Sequence, residues 1–294
     1  MSTSNANGSS GANGASGERK FKQVGTRPIR HDGLDKVTGR ANFGADLALP
    51  GMLHGAIARS EHAHARIVRI DTSKAEALEG VHAVVTAADF PNIPSEWKGS
   101  PAQGTDAGEL SRNILAREKV LYHGHALAAV AAVTPERARE AAELVEVEYE
   151  VLPPVLSLDD AVAPGAAILH ENQAPIGADP LPQEPTNIAR RIVFGGGDIA
   201  AGFADSEIVV EREFENPMVH QGYIEPHACV VDTREDGKAE IWCCTQGAFA
   251  VKASTAQVLE MDPNLLKVTP SEIGGGFGGK TTIYLEPVAL VLSR

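Results

Sequence analysis

The chain has 294 residues, 43% of them apolar, enough for two domains with packed cores. Its formal charge of −13, with 26 Lys and Arg against 39 Asp and Glu, argues against a nucleic-acid partner, which needs a dense basic surface. No apolar run approaches the roughly 20 residues that cross a bilayer, and the N-terminus lacks the basic-then-apolar order of a secretion signal, so a cytoplasmic protein without a membrane partner is expected.

Met1 to about Gly17 is almost wholly Ser, Asn, Gly and Ala, which bury too little apolar surface to offset the entropy of ordering. A disordered tail is therefore expected over residues 1–24. Beyond it, Gly51–Ser60, Ala65–Ser73 and Gly80–Phe90 read as strands, with a short helix over Ser73–Glu79. A Gly/Pro/Ser-rich loop follows from Pro91 to Gly108, then strand-like Lys119–Gly124 and Ala126–Thr134. Thr134 as N-cap and Pro135 at the first helical position open a helix, and VEVEYEVLP returns as a strand ending at Pro153. This irregular alternation suggests an α+β unit of about 120 residues with an open sheet. Nothing in it suggests catalysis.

Residues 154–190 are punctuated by proline and read as a linker. In the second unit Ile208–Pro217, Ala228–Thr233, Ala239–Thr245 and Leu266–Ile273 read as strands, with a helix over about Phe249–Leu259 and an apolar terminal helix over Pro287–Leu292. Cys229, Cys243 and Cys244 are too few and wrongly spaced for a zinc or iron–sulfur ligand set, so buried reduced thiols are expected. The histidine pairs His62/His64 and His123/His125 lack a third ligand nearby, and Pro226 denies His220, Glu225 and His227 the helical spacing of a zinc site.

The second unit also carries GGGFGGKT, Gly274–Thr281, which satisfies both the P-loop and the dinucleotide patterns. A P-loop needs a clean buried strand before it and later strands that supply a magnesium-binding carboxylate; a dinucleotide fold needs an acidic residue about 20 positions on. Pro270 interrupts the preceding strand and only Thr282 to Arg294 follow, so both nucleotide readings are disfavoured. What remains is a loop whose backbone can approach a bulky ligand, with Phe277 as its one apolar contact.

EIGGGFGGK, Glu272–Lys280, resembles the cofactor loop of the molybdenum-binding large subunit of the xanthine dehydrogenase/aldehyde oxidase family of molybdenum hydroxylases. Lys36–Ile67 resembles the opening of that family's α/β hammerhead domain, His220–Val231 the strand that introduces its molybdenum domain, and Ile241–Phe249 the segment carrying a glutamine beside the metal. Four motifs agree in order. The resemblance implies an α+β chain: a hammerhead domain over 25–153 and the first part of a molybdopterin-binding α+β domain over 191–294.

It implies a molybdenum–molybdopterin cofactor, with the cytosine dinucleotide form one option, held through dithiolene sulfurs and not through protein ligands. Gln246 would donate a hydrogen bond to a molybdenum oxygen ligand, and Gly275, Gly276, Phe277, Gly278 and Gly279 would pack against the ligand sphere, although Phe277 could also be an ordinary core aromatic. Glu225 could reach the substrate channel, or equally be a buried acid paired with His227. Thr281 stands where the family often has an acid, which disfavours a purine substrate.

The implied reaction is hydroxylation of an aldehyde or aromatic N-heterocycle with water-derived oxygen, a glutamate acting as base and electrons leaving through 2Fe-2S clusters to FAD on partner subunits. In family members that glutamate lies near the end of a considerably longer chain. The expected partners are therefore a C-terminal molybdenum-subunit chain, an iron–sulfur subunit and a FAD subunit. An inactive remnant and a nucleotide-binding module using Gly274–Thr281 stay open as alternatives.

Overall fold

Seven consecutive buried residues, Ala126–Ala132, make the central strand β5 of a computed structural model that describes residues 22–95, 106–171, 175–180 and 182–294. Small and β-branched side chains suit a strand covered on both faces. β1 (His54–Arg59) and β3 (Val81–Thr86) flank β5, both antiparallel, in the order β1-β5-β3. A second antiparallel sheet has β2 (Ala65–Asp71) between β4 (Lys119–Val120) and β6 (Glu146–Val151). Two three-stranded sheets thus replace the single open sheet expected from sequence, and Lys119–Gly124 contributes two strand residues only.

Helix α4 (Pro135–Glu143) starts as the sequence indicates, with the Thr134 side chain accepting from the Arg137 N–H, and it packs on β1 and β5. Among the described residues three short α-helices precede it: α1 (Gly33–Val37), α2 (Ser73–Glu76) and α3 (Ala107–Ile114). α3 was not read from the sequence, although Asp106 caps it by accepting from the Glu109 N–H. α1 belongs to a separate stretch before Asn42 and buries no side chain. The expected tail lies largely outside the described residues, as does most of the Pro91–Gly108 loop.

Past two more short helices, α5 (Leu158–Val162) and α6 (Ile199–Ala204), a third sheet has the order β7-β8-β9. β7 (Cys229–Thr233) and β8 (Ala239–Cys243) are antiparallel, and β9 (Leu266–Pro270) runs parallel to β8. α7 (Ala248–Val258) lies on β9, and α8 (Glu286–Ser293) lies on β7 and also reaches β3 and β5. The expected strand over Ile208–Pro217 does not form: the stretch is irregular and exposed.

One apolar core runs through both halves of residues 42–294. It joins Val85, Phe90, Leu110, Leu115 and Ala129 to Ile241, Val251, Leu266, Ile283, Val288 and Leu290. Cys243 and Cys244 are buried and Cys229 is half-buried, all three as free thiols. Burial pushes the Cys243 thiol up to about 12, with the neighbouring Glu286 carboxylate adding to the shift. Such thiols are inert as nucleophiles at neutral pH.

Candidate cofactor site

β8 ends at Cys243 and α7 begins at Ala248, and the turn between them presents Gln246 beside the glycine loop. Its backbone N–H donates to the Lys280 carbonyl at 2.9 Å, and its side-chain Oε1 accepts from the N–H groups of Gly278 at 3.0 Å and Lys280 at 3.2 Å. The Thr245 hydroxyl adds a bond to the Lys280 carbonyl at 3.3 Å. With the amide oxygen accepting two N–H groups, the orientation of the group is set, and its NH₂ has no hydrogen-bond partner among the described residues. Gln246 itself is exposed.

The glycines admit framework side chains. A Cβ at Gly276 would stand 2.5 Å from Gln246 Oε1, and one at Gly274 would stand 2.5 Å from the Glu225 Cβ. Neither distance is tolerable, so these two residues lack side chains by necessity and not only for ligand access. Phe277 has φ +49, a left-handed conformation uncommon outside glycine, and the residue is 73% exposed. It is therefore no core aromatic. The fold holds the ring out of the protein, against the cost of that conformation.

Glu225 is not paired with His227. Its Oε2 lies 2.7 Å from Lys280 Nζ and accepts from the Gly274 N–H at 2.7 Å, and its Oε1 accepts from the Gly44 N–H at 3.1 Å. Burial alone would raise this carboxyl, but the Lys280 ammonium and the two N–H donors outweigh it and hold it below the usual carboxylate range. Lys280, with no exposed side-chain surface, is thereby withdrawn from any phosphate, and no helix starts until Glu286. A P-loop needs both a free lysine and a helix mouth. The nucleotide reading of Gly274–Thr281 therefore lacks its chemistry here.

Beside the loop runs a row of rings, His220, Tyr223, His227 and Tyr284, with successive centroids 4.7, 5.5 and 5.0 Å apart. Burial, and then the Lys280 charge, lowers the His227 pKa. His220, Glu225 and His227 do not make a metal site: no group of three or more His, Cys, Asp or Glu among the described residues could hold an ion. Among the described residues no helix is long and apolar enough to cross a membrane.

The sequence names Gln246, Phe277 and the glycines as candidates, and the structure brings them together; no sequence motif marks Gly44 or the bond between Glu225 and Lys280, which are 55 positions apart. The only sequence sign of the pair is its location: a lone lysine closing a glycine loop and a lone acid before a proline. The residues present fit an oxygen-rich cofactor without protein ligands. An amide with an unengaged NH₂, a backbone free of side chains and one exposed aromatic residue lie along one loop, and the N-terminus of α7 adds positive potential.

Residues 38–153 match the family model described as aldehyde oxidase and xanthine dehydrogenase, a/b hammerhead domain, and residues 181–294 match the molybdopterin cofactor-binding domain. The chain is 35% identical over 265 residues to a probable xanthine dehydrogenase subunit of Bacillus subtilis, covering 90% of this chain and 33% of the relative. It is 34% identical over 277 residues to the carbon monoxide dehydrogenase large chain of Afipia carboxidovorans, covering 93% and 34%. The aldehyde oxidoreductase structure from Desulfovibrio gigas superposes with a TM-score of 0.73 at 29% identity, over 90% of this chain and 28% of that one. The chain belongs to the xanthine dehydrogenase/aldehyde oxidase family of molybdenum hydroxylases, within the molybdenum-binding large subunit. It spans about a third of the length of these curated relatives.

Proposed function

We propose that this chain forms part of the molybdopterin face of a hydroxylase that oxidises an aldehyde or aromatic N-heterocycle with water-derived oxygen. The observation that carries the reading is Gln246: its Oε1 is fixed by the Gly278 and Lys280 N–H groups, which leaves its NH₂ as a preset donor beside Gly276 and Phe277. A donor fixed before the reaction costs no reorganisation when charge develops on an oxygen in front of it.

The molybdenum–molybdopterin group, in its plain or cytosine dinucleotide form, would supply the two-electron redox chemistry. Gly275–Gly279 would form its floor, Phe277 would exclude water from one side, and Gln246 would orient an oxygen by hydrogen bonding. Glu225 is unsuited to accept a proton, since both its oxygens are engaged. We assign the general base to a part of the large subunit outside the third spanned here, and electron transfer to iron–sulfur and FAD subunits. The names of the relatives, one a subunit and the other a large chain, support a multi-subunit setting. Thr281, whose hydroxyl is tied to the Gly278 carbonyl at 3.0 Å, favours a substrate other than a purine.

The test is metal and pterin analysis of the purified protein together with its co-expressed partner chains, followed by Gln246→Ala. Stoichiometric molybdenum and pterin are expected, with kcat/KM for aldehydes or N-heterocycles reduced about 100-fold by the substitution, the size seen on removing one preorganised donor. Absence of both pterin and molybdenum from the assembled complex would sink the reading.

A further inference from the structure

Three segments of chain converge on one carboxylate. Glu225 takes the Gly44 N–H from the start of the hammerhead half, the Gly274 N–H from the entry of the glycine loop, and the Lys280 ammonium from its exit. Residues 42–44 are bound to the loop's approach a second time, through the Glu272 N–H to the Asn42 carbonyl at 3.0 Å and the parallel bridge Phe43↔Glu272. Lys280 Nζ also stands 4.9 Å from the Tyr223 ring centroid. The side chains of Lys280 and Glu225 are 0% and 10% exposed.

Burying both charges is costly, and apolar replacements of similar volume are often as stable or more so. Stability alone is therefore a weak reason for this pair. What an apolar pair could not supply is a fixed span between the two ends of the loop, with an acceptor at Glu225 for two N–H groups. The Lys280 backbone carries that span onward, since its N–H and carbonyl, together with the Gly278 N–H, hold Gln246. The charge on Glu225 thus connects, through one residue, to the amide that faces the cofactor.

We propose that Glu225 and Lys280 are positioning residues: a buried ion pair that closes the base of the glycine loop and sets the placement of Gln246 and Phe277. The proposal rests on the reading of the loop as a molybdopterin face, which supplies what is positioned. It gives Glu225 a task other than proton transfer and gives Lys280 one other than phosphate binding. The acceptor at position 225 matters as much as the charge, because two of the three bonds it receives come from backbone N–H groups.

The experiment uses the full chain and compares Glu225→Gln, Lys280→Met, the apolar double variant Glu225→Leu/Lys280→Met, and the exchanged pair Glu225→Lys/Lys280→Glu. Amide hydrogen exchange over residues 274–281 of cofactor-free protein is measured beside the melting temperature and the molybdenum-to-chain ratio of protein purified with its partner chains. Single variants that strand one buried charge can fail to fold, so the double variant decides. It is expected to fold with loop exchange about tenfold faster than wild type and with most of its molybdenum lost. The exchanged pair restores the charges but offers no acceptor to Gly44 and Gly274, and its loop should stay fast. A folded double variant with wild-type loop exchange and cofactor content overturns the proposal. So does an exchanged pair that restores a slow loop, or a double variant that unfolds, which would assign the pair to stability. Should wild-type protein carry no pterin, the functional reading falls, while the exchange arm still decides whether the pair closes the loop.

Discussion

β5 and the stretch Ile208–Phe214 have opposite fates, and the weaker strand former is the one that became a strand. ALAAVAA is mostly alanine, yet it lies between β1 and β3 with every residue buried. IVVEREF is rich in β-branched and aromatic side chains, yet Ile208, Val210 and Phe214 are 80%, 70% and 85% exposed and no strand forms. The difference is the presence of neighbours. β-propensity describes how well a side chain fits a paired, half-covered surface, and it confers little where no strand lies alongside. The glycine loop is a third case, open to solvent like the one and wedged in place like the other.

The largest expected effect sharpens that contrast directly. Val130→Asp places a charge in a fully buried strand position and should cost about 4 kcal/mol, enough to unfold much of the protein in a denaturant titration. Val210→Asp, the same change in the exposed stretch, should stay within about 0.5 kcal/mol. Equal losses would mean that the stretch is packed.

Next comes His125, immediately before β5. It is fully buried; its Nδ1 accepts from the Leu121 N–H at 3.2 Å, and its Nε2 lies 2.9 Å from the Arg112 carbonyl. Burial lowers its pKa from 6.5 to about 4. Below 6.5 the unfolded chain binds a proton that the folded chain refuses. The contribution of His125 is therefore complete above pH 6.5 and is lost as pH falls through about 4, amounting to about 3 kcal/mol. Melting curves across that window should show the fall in wild type and a shallower one in His125→Gln.

Smaller effects probe how the ends are held. Gly276→Ala forces a methyl group against the Gln246 amide and should cost about 2 kcal/mol, read as a shifted denaturation midpoint. An unchanged midpoint would show that Gln246 moves freely. Thr134→Ala removes the cap of α4, just after β5, and should cost about 1 kcal/mol by the same measurement.

Most of the first half was legible because its cues are local: short strand-like runs bounded by turn residues at β1, β2 and β3, polar–apolar alternation in β6, and Thr134-Pro135 at the head of α4. The helix α3 escaped because a Gly-rich approach masked its cap, though Asp106 and Glu109 carry the spacing of one. Ile208–Pro217 was over-read because propensity is visible in a sequence and a missing neighbour is not. At the site, Gln246 and the loop were recognisable as motifs. The exposure of Phe277 was not, since nothing local announces a left-handed phenylalanine. The Glu225–Lys280 bond was illegible for a different reason: it joins residues 55 positions apart, and only the fold brings them together.

The core that joins Phe90 and Leu115 to Ile283 and Leu290 has no internal border, although two separate family models meet across it. Modules that share their interior cannot be shuffled like beads. A gene fusion that moved either half into a new context would bare the apolar side chains it now shares with the other. A substitution inside one half is therefore felt by the packing of the other.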